Sequence, residues 1–476
     1  VVGRLDAQPP AGEDVAVPTR RARLTLAAAS LLLVGVTGCS TSPAAGPSSA
    51  PSTAATSAAS ASSPLATVDL VVPADLTGAP LDEPRTVQAP KGWTVSVFAR
   101  VDAARLLAWT PDGRLLVSRP KAGEVDVISP AASDPQASPV AETLLSGLDQ
   151  PHGLAFHDGR LYVAQSDRVD AYTYADGRAS DPQPVVTGLP DAKSPDLRGA
   201  YAHALKSVAV GEDGAVYVSV GSTGNISAED RDADPQRATI LRVPPGGGKA
   251  EVFARGVRNG TGLAVAPDGE VWTAVNNRDN IEYPYDRDFD GDGRSDQGDL
   301  LPAYVGDHPL EPFAHLTQGR DLGWPYCNPD PDVEPGVPGT ALDYSDRPFV
   351  RDVETNADGS KLDCSTLAPV EQGMGAHSAP LGLSFTSGAG LPAPYGAGAL
   401  VGVHGSWNRT PPRAPEVSFF SYANGRMGDQ QTILTGFQSA DGDRWGRPVA
   451  AVQGPDGDVY VSDDAAGAIY RMTPPA

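Results

Sequence analysis

A short unit recurs along this chain: an apolar strand, a turn built on Asp-Gly, and a second apolar strand. It appears at Arg105–Ser118 (RLLAWTPDGRLLVS), His152–Ala164 (HGLAFHDGRLYVA), Leu205–Ser219 (LKSVAVGEDGAVYVS), Gly262–Val275 (GLAVAPDGEVWTAV) and Pro448–Ser462 (PVAAVQGPDGDVYVS). Each copy reads as a hairpin, and the turn Asp falls at 112, 158, 213, 268 and 456. The long last interval has room for one more copy, Gly382-Leu-Ser-Phe followed by Gly398-Ala-Leu-Val-Gly-Val, together with an insertion. Six self-similar strand units at this period predict an all-β fold, a six-bladed β-propeller around a central channel. A solenoid is the structural rival; a further strand around Tyr470-Arg-Met favours a closed ring. No strong helical period follows the N-terminal apolar run, and 52 Gly and 46 Pro against 3 Met suit short strands and turns.

The formal charge of -23 leaves little with which to neutralise phosphates, which argues against nucleic acid and against a polybasic grip on lipid. Arg20, Arg21 and Arg23 lead into an apolar run from Leu24 to Val36 that closes on Val36-Thr37-Gly38-Cys39, the pattern of a signal peptide too short to span a membrane stably. The ending resembles a bacterial lipobox, which implies lipidation of Cys39. Residues 40–63 are nearly all Ser, Ala, Thr, Pro and Gly, a composition that buries no core and predicts a disordered tether. The expected organisation is 1–39 N-terminal extension and signal peptide, 40–89 tether and lead-in, and 90–476 propeller, anchored on the extracytoplasmic face of the cell membrane by lipid alone. Outside the cytoplasm Cys327 and Cys364 are free to bridge; two buried thiols are the alternative.

Superposing the copies places the residues ahead of each first strand at one rim of the channel. His152, Arg258, Asn259, His377, Ser378, Arg444 and Arg447 fall there, with His404 close behind the second strand of the fifth copy. A rim rich in His and Arg on an acidic protein predicts an anionic ligand on the axis. Singly, each has a structural explanation: Arg444 and Arg447 as partners of Asp441, Asp443 or Asp463, and a His ahead of a strand as a packing residue. Their coincidence at equivalent positions is what points to function. His157, His203, His308 and His315 are assigned structural roles. Beside the fourth copy, Asp288, Asp290, Asp292, Asp296 and Asp299 occupy positions 1, 3, 5, 9 and 12 of a calcium loop, with Gly293 at the sharp turn and the Arg294 carbonyl at position 7. Position 12 is Asp rather than Glu, so the expectation is a stand-alone structural loop.

Several segments then fall in a fixed order: Gln150-Pro-His-Gly-Leu-Ala-Phe156, Arg258-Asn259, Asn277-Arg-Asp-Asn280, Gly298-Asp-Leu-Leu-Pro302, Gly323-Trp-Pro-Tyr-Cys327, His377-Ser-Ala-Pro-Leu-Gly382, His404-Gly-Ser-Trp-Asn-Arg409 and Gly446-Arg-Pro-Val449. As a set they resemble the soluble glucose/sorbosone dehydrogenases, in their sorbosone-dehydrogenase-like branch, from about residue 90 to 472. The resemblance implies a propeller that holds pyrroloquinoline quinone (PQQ) and calcium and oxidises the hemiacetal or aldehyde carbon of a sugar. It casts His152 as general base and Arg258 as the cation at the quinone oxygen, with Asn259 beside it and Asn276 facing the cofactor. Arg444 and Arg447 would hold the cofactor carboxylates. His404 stands where glucose-oxidising members have Lys, and Thr261 where they have an amide. The implied partners are a sugar substrate and an electron acceptor that the residues do not identify. Two rivals remain: a non-catalytic surface propeller that binds a glycan or protein partner, and a metal-dependent lactonase, which needs axial carboxylates and amides instead.

Overall fold

The computed structural model describes residues 64–129, 138–197, 199–388 and 390–475; the expected signal peptide, Cys39 and the Ser/Ala-rich stretch to 63 lie outside them. The turn chemistry of the repeat shows why it makes hairpins. Gly113 N–H donates to the Thr110 carbonyl (3.0 Å) while Thr110 N–H donates to that of Arg114 (2.8 Å). The same two bonds close the turns at Gly211–Ala215, Ala266–Glu270 and Gly454–Asp458. Each needs a left-handed residue, supplied by Gly113, Gly214, Gly269 and Gly457 at φ between 77 and 89°. The preceding Asp caps the turn: the Asp213 carboxylate accepts Ala215 N–H at 2.9 Å, and Asp456 accepts Asp458 N–H at 3.2 Å.

Six antiparallel sheets result. Blade 1 comprises Leu107–Trp109, Leu115–Arg119, Glu124–Ile128 and Ala141–Leu145; blade 2, Leu154–His157, Arg160–Ala164, Arg168–Ala175 and Arg178–Thr187. Blade 3 comprises Val208–Val210, Val216–Val220, Thr239–Val243 and Glu251–Arg255; blade 4, Gly262–Val265, Val271–Ala274, Glu311–Leu316 and Val370–Met374. Blade 5 comprises Pro380–Phe385, Gly398–Val403, Glu416–Ala423 and Gln431–Leu434; blade 6, Pro448–Gln453, Val459–Asp463 and Ala468–Thr473. Each first strand touches the next, and that of blade 6 touches that of blade 1, so the ring closes. Thr94–Arg100 pairs antiparallel with Ala468–Thr473 and completes blade 6, tying the two ends of the ring together.

The outermost strands extend the propeller beyond its expected start at residue 90. Leu65–Val71 lies parallel to Thr94–Arg100 and antiparallel to Thr86–Pro90, so the second half of the lead-in is sheet. Its alternating pattern, with Val87 and Ala89 buried, carried that signal.

Strand alternation sends neighbouring side chains into different cores. Leu115 and Val117 pack toward blade 6, whereas Leu116 packs with Leu161 and Val163 of blade 2. Val216, Val218 and Val220 fill the gap between blades 2 and 3, while Tyr217 between them turns toward blade 4. Each of the six interfaces therefore has its own apolar cluster, and truncating a residue such as Leu116 to Ala costs about 2–5 kcal/mol.

Candidate active site

Each blade starts from its inner strand, so the segments leading into those strands gather at one mouth of the channel. His152, ahead of blade 2, is fully buried. Its N–H donates to the Ala164 carbonyl (2.8 Å), and Nδ1 lies 3.1 Å from the Lys206 carbonyl. A carbonyl only accepts, so Nδ1 carries the proton and Nε2 presents its lone pair. Nε2 is buried without a hydrogen-bond partner among the described residues. Burial first, then the nearby Arg105 and Lys206 cations, pushes the His152 pKa down to about 3, so the ring is neutral at pH 7. Gly153 permits this placement, since a Cβ there would stand 2.5 Å from Val208 N.

Lys206 is itself buried. Its Nζ donates to the Ala204 carbonyl (2.6 Å) and sits 4.6 Å from the Tyr201 ring centroid, and burial lowers its pKa to about 7. On the blade 6 side, Asp464 joins two residues of the mouth. His404 Nε2 is 2.9 Å and Arg105 Nη1 2.8 Å from its carboxylate. Against the penalty of burial, these two partners hold Asp464 down at about 2. Arg447 donates from Nε to the His404 carbonyl (3.1 Å) and makes no other side-chain hydrogen bond among the described residues. Arg444 is more committed, with Nε on Gln438 (2.7 Å) and Nη2 on the carbonyls of Ser406 and Arg413. Neither forms an ion pair with Asp441, Asp443 or Asp463 among the described residues.

The segment leading into blade 4 carries a cationic arm. Arg258 is buried and donates from Nε and Nη2 to Asn225 (3.1 and 3.0 Å) and from Nη1 to the Asn276 carbonyl (3.1 Å). Burial lowers its pKa to about 10, with Asp279 at 3.9 Å opposing, so it stays charged at pH 7. The Asn259 carbonyl accepts Asn276 N–H (3.0 Å), which brings both predicted cofactor residues together. Glu311, fully buried, accepts Asn277 N–H at 2.5 Å, and burial raises its pKa to about 7. His377 bonds the Val305 carbonyl through Nε2 (2.6 Å) and faces Asp279 through Nδ1 (3.4 Å), so it orients neighbours.

The segment leading into blade 3 connects the two sides. Its Lys206 carbonyl holds His152, and its His203 lies in the field of Arg258, separated from Asn259 by Gly221. His203, given a structural role from sequence, thus belongs to the mouth; burial, then Arg258, lowers its pKa to about 3. Arg105, Asp464 and Glu311 were missed as well. Arg105 carried a signal, because it precedes blade 1 as His152 precedes blade 2.

The Asp loop belongs to the segment between the second and third strands of blade 4. Asp288, Asp290 and Asp296 bring one carboxylate oxygen each within 4.8 Å of one another. Gly291 and Gly293 N–H both donate to Asp288 (2.6 and 2.8 Å), the wrap expected of position 1. Asp292 instead pairs with Arg294 (2.5 Å), and exposed Asp299 is outside the group of three. Cys327 and Cys364 are disulfide-bonded with Cα atoms 5.7 Å apart, which settles the pairing left open by the sequence.

The fold is thus a six-bladed propeller with a buried neutral His ahead of blade 2 and a buried Arg ahead of blade 4. The family model described as TrAA12-like matches residues 87–474, and the chain belongs to that family. The holo form of the pyranose dehydrogenase PQQ domain from Coprinopsis cinerea superposes with a TM-score of 0.63 at 20% identity, covering 81% of this chain and 97% of that one. The calcium structure of the Trichoderma reesei carbohydrate-active enzyme of family AA12 gives 0.63 at 22%, covering 81% and 96%. An uncharacterized protein of Borreliella burgdorferi is 22% identical over 403 residues, 81% of this chain and 90% of its own length.

Proposed function

We propose that this protein is a PQQ-dependent oxidoreductase that oxidises the hemiacetal or aldehyde carbon of an aldose or related sugar. The observation that carries the reading is His152: a fully buried, neutral imidazole whose Nε2 lone pair has no partner among the described residues. Such a group accepts a hydroxyl proton at neutral pH without first losing one of its own. Family membership supports the same class, as do a relative described as a PQQ domain and another solved with calcium.

The residues present fit the cofactor. Arg447 has uncommitted guanidinium N–H groups suited to a carboxylate, and Arg258 places a permanent cation beside Asn259 and Asn276. PQQ, with calcium, would supply the hydride acceptor. This chain's residues do the rest. His152 takes the substrate proton at Nε2, the Lys206 carbonyl keeps its tautomer, and Asp464 fixes His404 and Arg105 around it. Arg258, held by Asn225, stabilises developing negative charge without reorganising. In this proposal the Asp288–Asp299 loop carries a structural calcium, and Cys39 anchors the protein by lipid outside the cytoplasm, where an unidentified acceptor takes the electrons.

Titration with PQQ and calcium, followed by dye reduction over a panel of aldoses, tests the reading. Saturable calcium-dependent binding with turnover is the expected outcome. A folded sample that binds no quinone would instead favour a surface propeller whose His and Arg meet another anionic ligand.

A further inference from the structure

Blade 4's long insertions contain a second cluster of metal-ligating side chains, distinct from the Asp288–Asp299 loop. His308, Asp330 and Asp332 are each at most 5% exposed. His308 Nε2 stands 3.0 Å from Asp332 Oδ1 and 3.6 Å from Asp330 Oδ1. Ligands about 2.0–2.2 Å from one shared ion are themselves about 2.9–3.6 Å apart, so both edges have the right length.

Outer partners orient each group. His308 Nδ1 is 3.0 Å from the Tyr304 carbonyl and donates to it, which turns the Nε2 lone pair inward. The far oxygen of Asp332 accepts Gly336 N–H (3.0 Å), and that of Asp330 accepts the Tyr285 hydroxyl. This is how outer-shell hydrogen bonds aim metal ligands. Charge points the same way: even a protonated His308 leaves one negative charge over in a buried site. The neighbouring Arg347 donates to the main-chain carbonyls of Asp330 and Asp332 and approaches Asp343 (3.6 Å), and among the described residues it forms no ion pair with either carboxylate of the cluster.

Tyr304 is an independent indication. It is 1% exposed, its ring stacks on that of His308 (3.8 Å between centroids, 12° between planes), and its buried hydroxyl has no hydrogen-bond partner among the described residues. Asp330 and Asp332 are among the charges that act most strongly on that hydroxyl. A buried phenol left unpaired beside two carboxylates calls for one more atom there. A cavity of about 570 Å³, lined by Phe289, Tyr304, His308 and Asp332, adjoins the cluster and opens one side of it.

We propose that His308, Asp330 and Asp332 bind a divalent first-row transition cation, zinc in the first instance, with a water in the open position beside the Tyr304 hydroxyl. One imidazole and two carboxylates suit that class of ion better than calcium, which favours oxygen alone. The ion fastens the short helix Pro302–Val305, whose Val305 carbonyl holds His377, which in turn faces Asp279 next to Arg258. The site is therefore structural, at the root of the cationic arm.

The test is metal analysis of the full-length protein, so it does not depend on quinone or activity. Protein is dialysed against zinc chloride alone, then against metal-free buffer, and retained metal is counted by mass spectrometry. The expected result is one zinc per chain in wild type and in Asp288→Asn, lost in His308→Gln and Asp332→Asn. Folded wild type that retains no zinc, or equal retention in both cluster variants, overturns the proposal and leaves His308 as an imidazolium between two aspartates. If the variants do not fold, competition of wild type with a chromophoric chelator decides. One tight equivalent that excess calcium fails to displace supports the site, and its absence refutes it.

Discussion

Blades 2 and 4 begin from the same strand–turn–strand unit and become different objects. Blade 2 is four strands joined by short turns, whereas blade 4 carries residues 275–310 between its second and third strands and 317–369 before its fourth. Blade 2 contributes a neutral imidazole, and blade 4 contributes charge. A neutral imidazole needs only a carbonyl and a dry wall, which plain strands provide. A buried cation needs partners, because desolvation otherwise outweighs what it gains. The insertions supply them: Arg278 is 2% exposed and pairs with Asp352 at 2.5 Å and Glu354 at 3.0 Å, and Asn328 also donates to Asp352.

The comparison breaks most readily at His152. His152→Gln is expected to lower kcat by about 10²–10⁴-fold with quinone affinity retained. Unchanged turnover would mean that blade 2 holds no base. Next in size, Arg278→Met takes the buried cation away from Asp352 and should cost about 3–5 kcal/mol in denaturant unfolding. A loss no larger than that of an exposed pair would show that blade 4's charges are not interdependent. Replacing Cys327 and Cys364 together by Ser should cost about 2–4 kcal/mol and raise hydrogen exchange in residues 317–369 while blade 2 stays protected.

A further effect is in pH, and its sign differs between the blades. His152 titrates near 3 when folded and about 6.5 when unfolded, so its contribution is held above the unfolded value and falls away as pH drops. Glu311, raised to about 7 from 4.5, behaves oppositely: its contribution is present below 4.5 and is lost as pH rises through 7. Glu311→Gln should therefore gain stability relative to wild type between about pH 5 and pH 8, read as melting temperature against pH. A difference that does not change over that range would place Glu311 in a wetter site.

Much of this was legible in the chain. Asp-Gly turns flanked by alternating apolar residues define hairpins locally, and their recurrence defines the ring. The rim positions of His152, Arg258 and Asn259 follow from superposing the copies. Leu65–Val71 and Thr86–Pro90 were less legible, because these strands are added outside the repeat and lack its turn. Asp464 and Glu311 were not legible either, since nothing in the local pattern of an acidic residue tells which carboxylate will be buried.

What the sequence by itself determined is whatever depends on neighbours along the chain: strand period, turn type, blade number, the spacing of the Asp loop and the candidate pair of cysteines. Tertiary structure alone decided which polar atoms are satisfied. Arg105 meets Asp464 across 359 residues, Thr261 reaches the Pro380 carbonyl across 119, and His203 comes to Arg258 only when blades 3 and 4 pack. Burial, partner geometry and pKa are properties of the closed ring, because desolvation and hydrogen bonding depend on distance in space and not on position in the chain.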